Sequence, residues 1–155
     1  MILDLVRHAS TGRSGYLDGR TDPPLLDDAL EAVCRRHCGI GWVRAISSPR
    51  RRALDTANAL VGGSDLFCEI RPDWAELDFG DWDGQHFDQI PAEQLAGFYD
   101  QPHEVVPPNG ESWDHFQSRI EQQLHRLVDE DDVPGPVLVV SHAGVIRMAL
   151  SRVCG

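Results

Sequence analysis

The chain has 155 residues, 41% hydrophobic and 25% charged, with a formal net charge of −11 at pH 7. That size and balance describe one globular domain with a real core, and the acidic total argues against a nucleic-acid partner. No window approaches the roughly 18 apolar residues of a membrane span, and no basic stretch precedes the short apolar start, so a cytoplasmic protein without a membrane partner is expected.

All 14 basic residues are arginine. An arginine cluster can still hold a phosphate, because local charge outweighs distant, screened charge. In chain order, the first apolar run (Ile2, Leu3, Leu5, Val6) stops at Arg7-His8 and the turn-prone Ala9-Ser10-Thr11-Gly12. It reads as a buried strand that delivers a guanidinium and an imidazole to the carboxyl end of a sheet, where open α/β folds bind ligands. Residues 12–24 have turn chemistry throughout and carry Arg13, Tyr16 and Arg20, placed to roof such a site.

Helical spacing over 26–38 (Leu26, Leu30, Val33, Cys34) predicts a helix with Cys34 and Cys38 on one face beside His37. These are read as buried free thiols rather than a zinc site, which needs a further ligand. A strand is expected over 42–47, then Ser48 as N-cap and Pro49 in the first turn of a helix reaching about residue 60. Arg50, Arg51 and Arg52 would then oppose the helix dipole. An anion bound there relieves the conflict, so at least one of the three is read as functional.

A short strand over 67–71 leads into residues 74–84, dense in acids and aromatics. Residues 85–108 are irregular with a helical piece over 91–99, and read as a lid-like insertion within a single domain spanning 1–155. The clearest amphipathic helix covers 112–128, with Trp113, Phe116, Ile120, Leu124 and Leu127 on its core stripe. A solvated break follows over 129–136. Val137-Leu138-Val139-Val140 is a last strand, ending in Ser141-His142-Ala143-Gly144 and a helix over 144–153. Alternating strands and helices predict a three-layer α/β/α sandwich around a mostly parallel sheet.

The residues this pattern isolates resemble the histidine phosphatase superfamily, with its phosphoglycerate-mutase-like fold. Leu5-Val6-Arg7-His8-Ala9-Ser10-Thr11 is similar to the family's first histidine motif. Ser47-Ser48-Pro49-Arg50-Arg51-Arg52-Ala53 is similar to its Ser-x-Pro-Leu-x-Arg-Ala segment, which picks Arg52 from the triplet. Residues 76–84 resemble Glu-x-x-Phe-Gly-x-Trp-Glu-Gly, and Val140-Ser141-His142-Ala143-Gly144-Val145 the second histidine motif. Each motif is short; the four in order span nearly the whole chain. A finer resemblance, carried by residues 19–25, by Glu76-Leu77-Asp78-Phe79-Gly80-Asp81-Trp82 and by residues 107–112, is to α-ribazole phosphatases.

The resemblance implies a phosphomonoesterase in which His8 becomes a phosphohistidine while Arg7, Arg52 and a charged His142 hold the phosphoryl oxygens. It implies no cofactor and no metal. Glu76 is the expected proton donor, its pKa raised by Trp74, Phe79, Trp82 and pocket carboxylates; Asp78, Asp81 and Asp83 are the nearby rivals. Ser10, Thr11, Ser14, Tyr16, Arg20 and Ala143 are the expected substrate contacts. Tyr16, Trp82, Phe87, Phe98 and Tyr99 either stack on a flat base or pack the lid. The implied partner is a small phosphate ester, α-ribazole 5′-phosphate in cobalamin biosynthesis. The alternatives are a broad sugar-phosphate or phosphoprotein phosphatase, or a phosphate-binding scaffold without turnover. Ala9 departs from the motif glycine, which is harmless at negative φ; Ser14 stands for asparagine and Asp83 for glutamate. Family members continue through another strand and helix, so a C-terminally short sheet is expected, or a homodimer covering its edge.

Overall fold

A computed structural model describes residues 2–130 and 134–153. Part of the expected acidic break, residues 131–133, lies outside the described residues, as does Cys154. Four strands, β1 (Ile2–Arg7), β2 (Arg44–Ser47), β3 (Cys68–Ile70) and β4 (Pro136–Ser141), form one sheet in the order β1-β4-β2-β3. Every pairing among them is parallel. β4, late in the chain, is therefore flanked on both sides, and its run Val137-Leu138-Val139-Val140 is buried on both faces. The register sets Arg7 opposite Ser141. The two histidine-bearing turns thus leave the same sheet edge side by side.

Side chains alternate across the sheet. Val6, Ala45, Leu138 and Val140 meet Val33 of α1 (Ala29–Arg36) and Ala53, Ala57 and Val61 of α2 (Arg51–Val61). Leu3, Leu5, Ile46, Val137 and Val139 face the opposite layer. That layer holds Phe98 of α3 (Ala92–Asp100), Phe116, Ile120 and Leu127 of α4 (Trp113–Asp129), and Val145, Met148 and Ala149 of α5 (Ala143–Val153). The result is the expected three-layer sandwich. No helix among the described residues is long and apolar enough to cross a membrane.

Three local expectations are corrected. α2 starts at Arg51, not at Pro49, and Ser48 does not cap it. The Ser48 N–H continues the sheet's pattern by donating to the Val140 carbonyl, and its hydroxyl accepts from the Arg50 N–H, ahead of the helix, and meets His142 Nε2. Asp22, from the first loop, accepts from the Arg51 and Arg52 N–H groups instead. The anion that offsets the helix-dipole conflict is thus a carboxylate of the chain itself. Finally, α1 ends before Cys38, which is exposed rather than buried, while Cys34 is half-buried.

An ion network closes the far end of the sheet. Arg71, 3% exposed, and Arg44 both bind Glu69 and Glu130, tying β2 and β3 to the end of α4. Hydrogen bonds from Arg126, Arg71 and Arg44 hold the Glu130 carboxyl down to about 2. A depressed folded-state value contributes stability that is present above the unfolded value of about 4.3 and lost as pH falls through the folded one. Glu130→Gln is expected to lower the urea midpoint at neutral pH and flatten its decline between about pH 5 and 2. Urea titrations at several pH values check this.

Candidate active site

His8 follows directly on β1. Its Nδ1 is 2.8 Å from the Ala9 carbonyl, an acceptor, so the ring proton sits on Nδ1 and Nε2 carries the lone pair. The Ala9 N–H donates to Thr56 Oγ1 at 2.9 Å, and Ala9 is 1% exposed. Among the described non-glycine residues positive φ occurs at Asn109 alone, so alanine replaces the motif glycine without strain.

Arg52, 2% exposed, joins the two histidines. Its Nε donates to His8 Nε2 at 3.3 Å and its Nη2 to His142 Nδ1 at 3.2 Å. The remaining donors go to the Asp18 and Thr21 carbonyls and to Asp22 Oδ1, so a saddle of loop holds the guanidinium. The imidazole centroids are 5.2 Å apart. His142 is buried, with Nε2 2.7 Å from Ser48 Oγ. Its Nδ1 accepts from Arg52, so Nε2 carries the proton that goes to Ser48. Burial, then the Arg52 and Arg7 cations, push His8 down to about 4 against the Ala9 hydrogen bond. Burial, followed by Arg52, His8, Arg50 and Arg7, holds His142 well below its ordinary value. The expected charged His142 is therefore corrected: burial, and then the arginines crowding the site, favour the neutral form of both imidazoles.

Arg7 lines the same cavity; its guanidinium has no ion pair or hydrogen bond among the described residues. Glu76 reaches in from an irregular stretch. Its Oε1 accepts from the Leu77 N–H and its Oε2 from the Gly144 N–H, both at 3.1 Å. That approach requires glycine at 144, where a Cβ would collide with the carboxylate. Burial pushes the Glu76 carboxyl up, against these two N–H groups. Desolvation, not the expected neighbouring carboxylates, is the cause.

The cavity is about 370 Å³ and also carries Tyr16, Phe79, Phe98, Tyr99, Trp113 and Phe116. Of the expected substrate contacts, Thr11, Tyr16 and Ala143 line it. Ser10 and Ser14 line an adjoining hollow that shares Arg7, His8, Thr11 and Arg13 with it. Arg20 is turned away. Asp83 accepts from the Gly19, Arg20 and Thr21 N–H groups, which directs the Arg20 side chain outward onto Asp78 and the Gly80 carbonyl. Trp82 is buried edge-on against Phe98, and Phe87 stacks on His86 outside the cavity. Trp113, expected in the core, is half-buried at the cavity wall.

Ser48, Asp22 and Arg147 join the site without having been marked in sequence, whereas Arg13, expected to roof it, does line the cavity. Ser48 was masked by its resemblance to a cap. Arg13 is paired to Asp18 at 2.8 Å and lies 3.8 Å above the Tyr16 ring. Arg147 enters from α5, five positions after His142, and Asp22 had no signal at all.

A family model for the histidine phosphatase superfamily (branch 1) matches residues 3–155. Among curated proteins, the adenosylcobalamin/alpha-ribazole phosphatase of Salmonella typhimurium is 31% identical over 160 residues, 98% of this chain and 79% of that protein. Among solved structures, the alpha-ribazole phosphatase from Shigella flexneri superposes with a TM-score of 0.88 at 28% identity, covering 100% of this chain and 80% of that one. The phosphoglycerate mutase from Bacillus anthracis gives 0.84 at 25% identity, over 97% of this chain and 78% of that one.

Proposed function

The chain belongs to the histidine phosphatase superfamily, and from that premise we propose that it hydrolyses a small phosphate monoester through a phosphohistidine. One observation carries the reading: a single buried guanidinium, Arg52, bridges two neutral imidazoles, one of which, His8, lines the cavity with Nε2 as its acceptor nitrogen. A phosphate entering the cavity competes for the Arg52 donors and meets the free fork of Arg7. Two guanidiniums then match several phosphoryl oxygens at once.

With Arg52 drawn onto the phosphate, His8 Nε2 attacks phosphorus as the bond to the leaving oxygen breaks. Glu76 gives that oxygen its proton. Water then attacks the phosphohistidine, Glu76 takes the water's proton, the P–N bond breaks, and inorganic phosphate leaves with His8 restored. Developing charge on the equatorial oxygens meets Arg7, Arg52 and the His142 ring. Arginines carry that charge, so the reaction requires no metal. The accessible rings of Tyr16, Phe79, Tyr99 and Trp113 at the cavity suit a substrate with a flat base. With the names of the relatives, this favours α-ribazole 5′-phosphate as substrate, in the cytoplasm.

The test is kcat/KM for α-ribazole 5′-phosphate and a panel of other phosphate esters, in EDTA, across pH. α-Ribazole 5′-phosphate is expected to lead the panel with activity undiminished by EDTA. The profile should rise through about pH 4, as His8 loses its proton, and fall on the alkaline side as Glu76 loses its own. Glu76→Gln should erase the alkaline limb and cost on the order of 10²–10⁴ in rate on poor leaving groups. Equal values across the panel remove the substrate assignment; activity that vanishes in EDTA and returns with metal removes metal independence.

A further inference from the structure

We infer that Arg119, in the middle of α4, is a positioning residue for Glu76, acting on the backbone that carries the carboxylate rather than on substrate. The inference rests on the reading of Glu76 as proton donor. Glu76 stands between the 3-10 turns Pro72–Trp74 and Gly80–Trp82, on no strand or helix of its own. A carboxylate on such a stretch is placed only as well as its surroundings hold it.

Arg119 does that holding with every N–H it has. Nη1 donates to the Asp73 carbonyl at 2.5 Å and the Ala75 carbonyl at 2.7 Å. Nη2 donates to the Glu76 carbonyl at 3.1 Å and to Glu111 Oε2 at 2.9 Å, and Nε to Glu111 Oε1 at 2.7 Å. Both side chains of that pair are largely buried, and the guanidinium also lies 4.7 Å over the Phe116 ring.

Glu111 extends the clamp past the carboxylate. Its N–H donates to the Asp78 carbonyl at 2.8 Å, and its Oε2 accepts from the Asp78 N–H at 3.3 Å. From the sheet side, Ser141 Oγ donates to the Trp74 carbonyl at 2.7 Å. Residues 73–78 are thus gripped on both sides of Glu76, mostly by one arginine–carboxylate pair. Such buried pairs add little net stability. The main consequence is geometric, and misplacing a catalytic group by about 1 Å can cost on the order of 10²-fold.

The experiment compares phenyl phosphate, whose leaving group needs a proton, with p-nitrophenyl phosphate, whose leaving group barely does. Arg119→Met is expected to lose on the order of 10- to 100-fold on phenyl phosphate and less than about threefold on p-nitrophenyl phosphate. The alkaline limb should move to higher pH, because Arg119 is a cation that favours ionised Glu76. Arg119→Lys keeps the charge without the fork, so its rate loss should be intermediate and its limb unmoved. In a Glu76→Gln background, Arg119→Met should cost little more.

Equal losses on both esters with an unmoved limb, or additive losses in the double variant, would show a merely structural role and overturn the proposal. A Glu76→Gln enzyme that hydrolyses phenyl phosphate normally is a different result: it overturns the proton-donor reading, and the inference built on it. If Arg119→Met does not fold, Arg119→Lys and Glu111→Gln carry the same two-ester comparison.

Discussion

His8→Ala is expected to reduce phosphate-ester hydrolysis by on the order of 10⁶-fold, the scale at which removing a nucleophile leaves only binding effects. Two features make the loss so deep. The nucleophilic lone pair belongs to His8 Nε2, and its orientation depends on the Nδ1 bond to the Ala9 carbonyl. His142 cannot replace it, because it is 1% exposed and its Nε2 is held by the buried Ser48 hydroxyl. The fold should survive, since the His8 ring is half-exposed and its backbone N–H bond to the Ser141 carbonyl is untouched. Acid-labile label from ³²P-substrate, mapped by mass spectrometry, is the check. Label on His8 in the parent and none in the variant is the expected pair. Label that persists in His8→Ala removes the phosphohistidine from that position.

The second large effect belongs to Arg52→Ala. Losing one preorganised donor from a developing oxyanion costs about 10²–10³ in rate elsewhere, and Arg52 offers a fork. Stability should fall as well. The Asp18 and Thr21 carbonyls and the Asp22 carboxylate all lose a donor, and breaking a buried ion pair on one side costs about 3 kcal/mol or more. Arg51→Ala is the control: its side chain is 86% exposed and, among the described residues, pairs only with Asp55. That change should leave activity alone and shift stability by less than about 0.5 kcal/mol. Full activity in Arg52→Ala would transfer the role to Arg50. Steady-state kinetics and urea midpoints on the same preparations separate the catalytic loss from the structural one.

The triplet Arg50-Arg51-Arg52 shows how far a sequence pattern reaches. Three cations at one helix start signalled an anion, and the motif spacing picked Arg52. The pattern could not say that the first anion met would be Asp22, 30 residues upstream of Arg52. Arg20 shows the same limit from the other side. Its residue type and loop suggested a phosphate contact, yet its direction depends on Asp83, 63 residues away. The mistaken charge on His142 has the same origin. A histidine titrates near neutrality by default, and only burial, with the arginines packed around it, decides otherwise.

The sequence by itself determined the parts of this protein that are periodic or contiguous. Apolar runs marked β1 and β4, the stripe from Trp113 to Leu127 marked α4, and four short motifs marked His8, Arg52, Glu76 and His142. These were legible because burial acts on each residue through its neighbours in the same element. The tertiary structure alone decided that β4 lies beside β1, which turns two distant histidines into one site. It also decided which loop closes over Arg52 and which helix holds up Glu76. Those contacts join residues 30 to 90 positions apart through single hydrogen bonds, and such bonds leave no period in the chain.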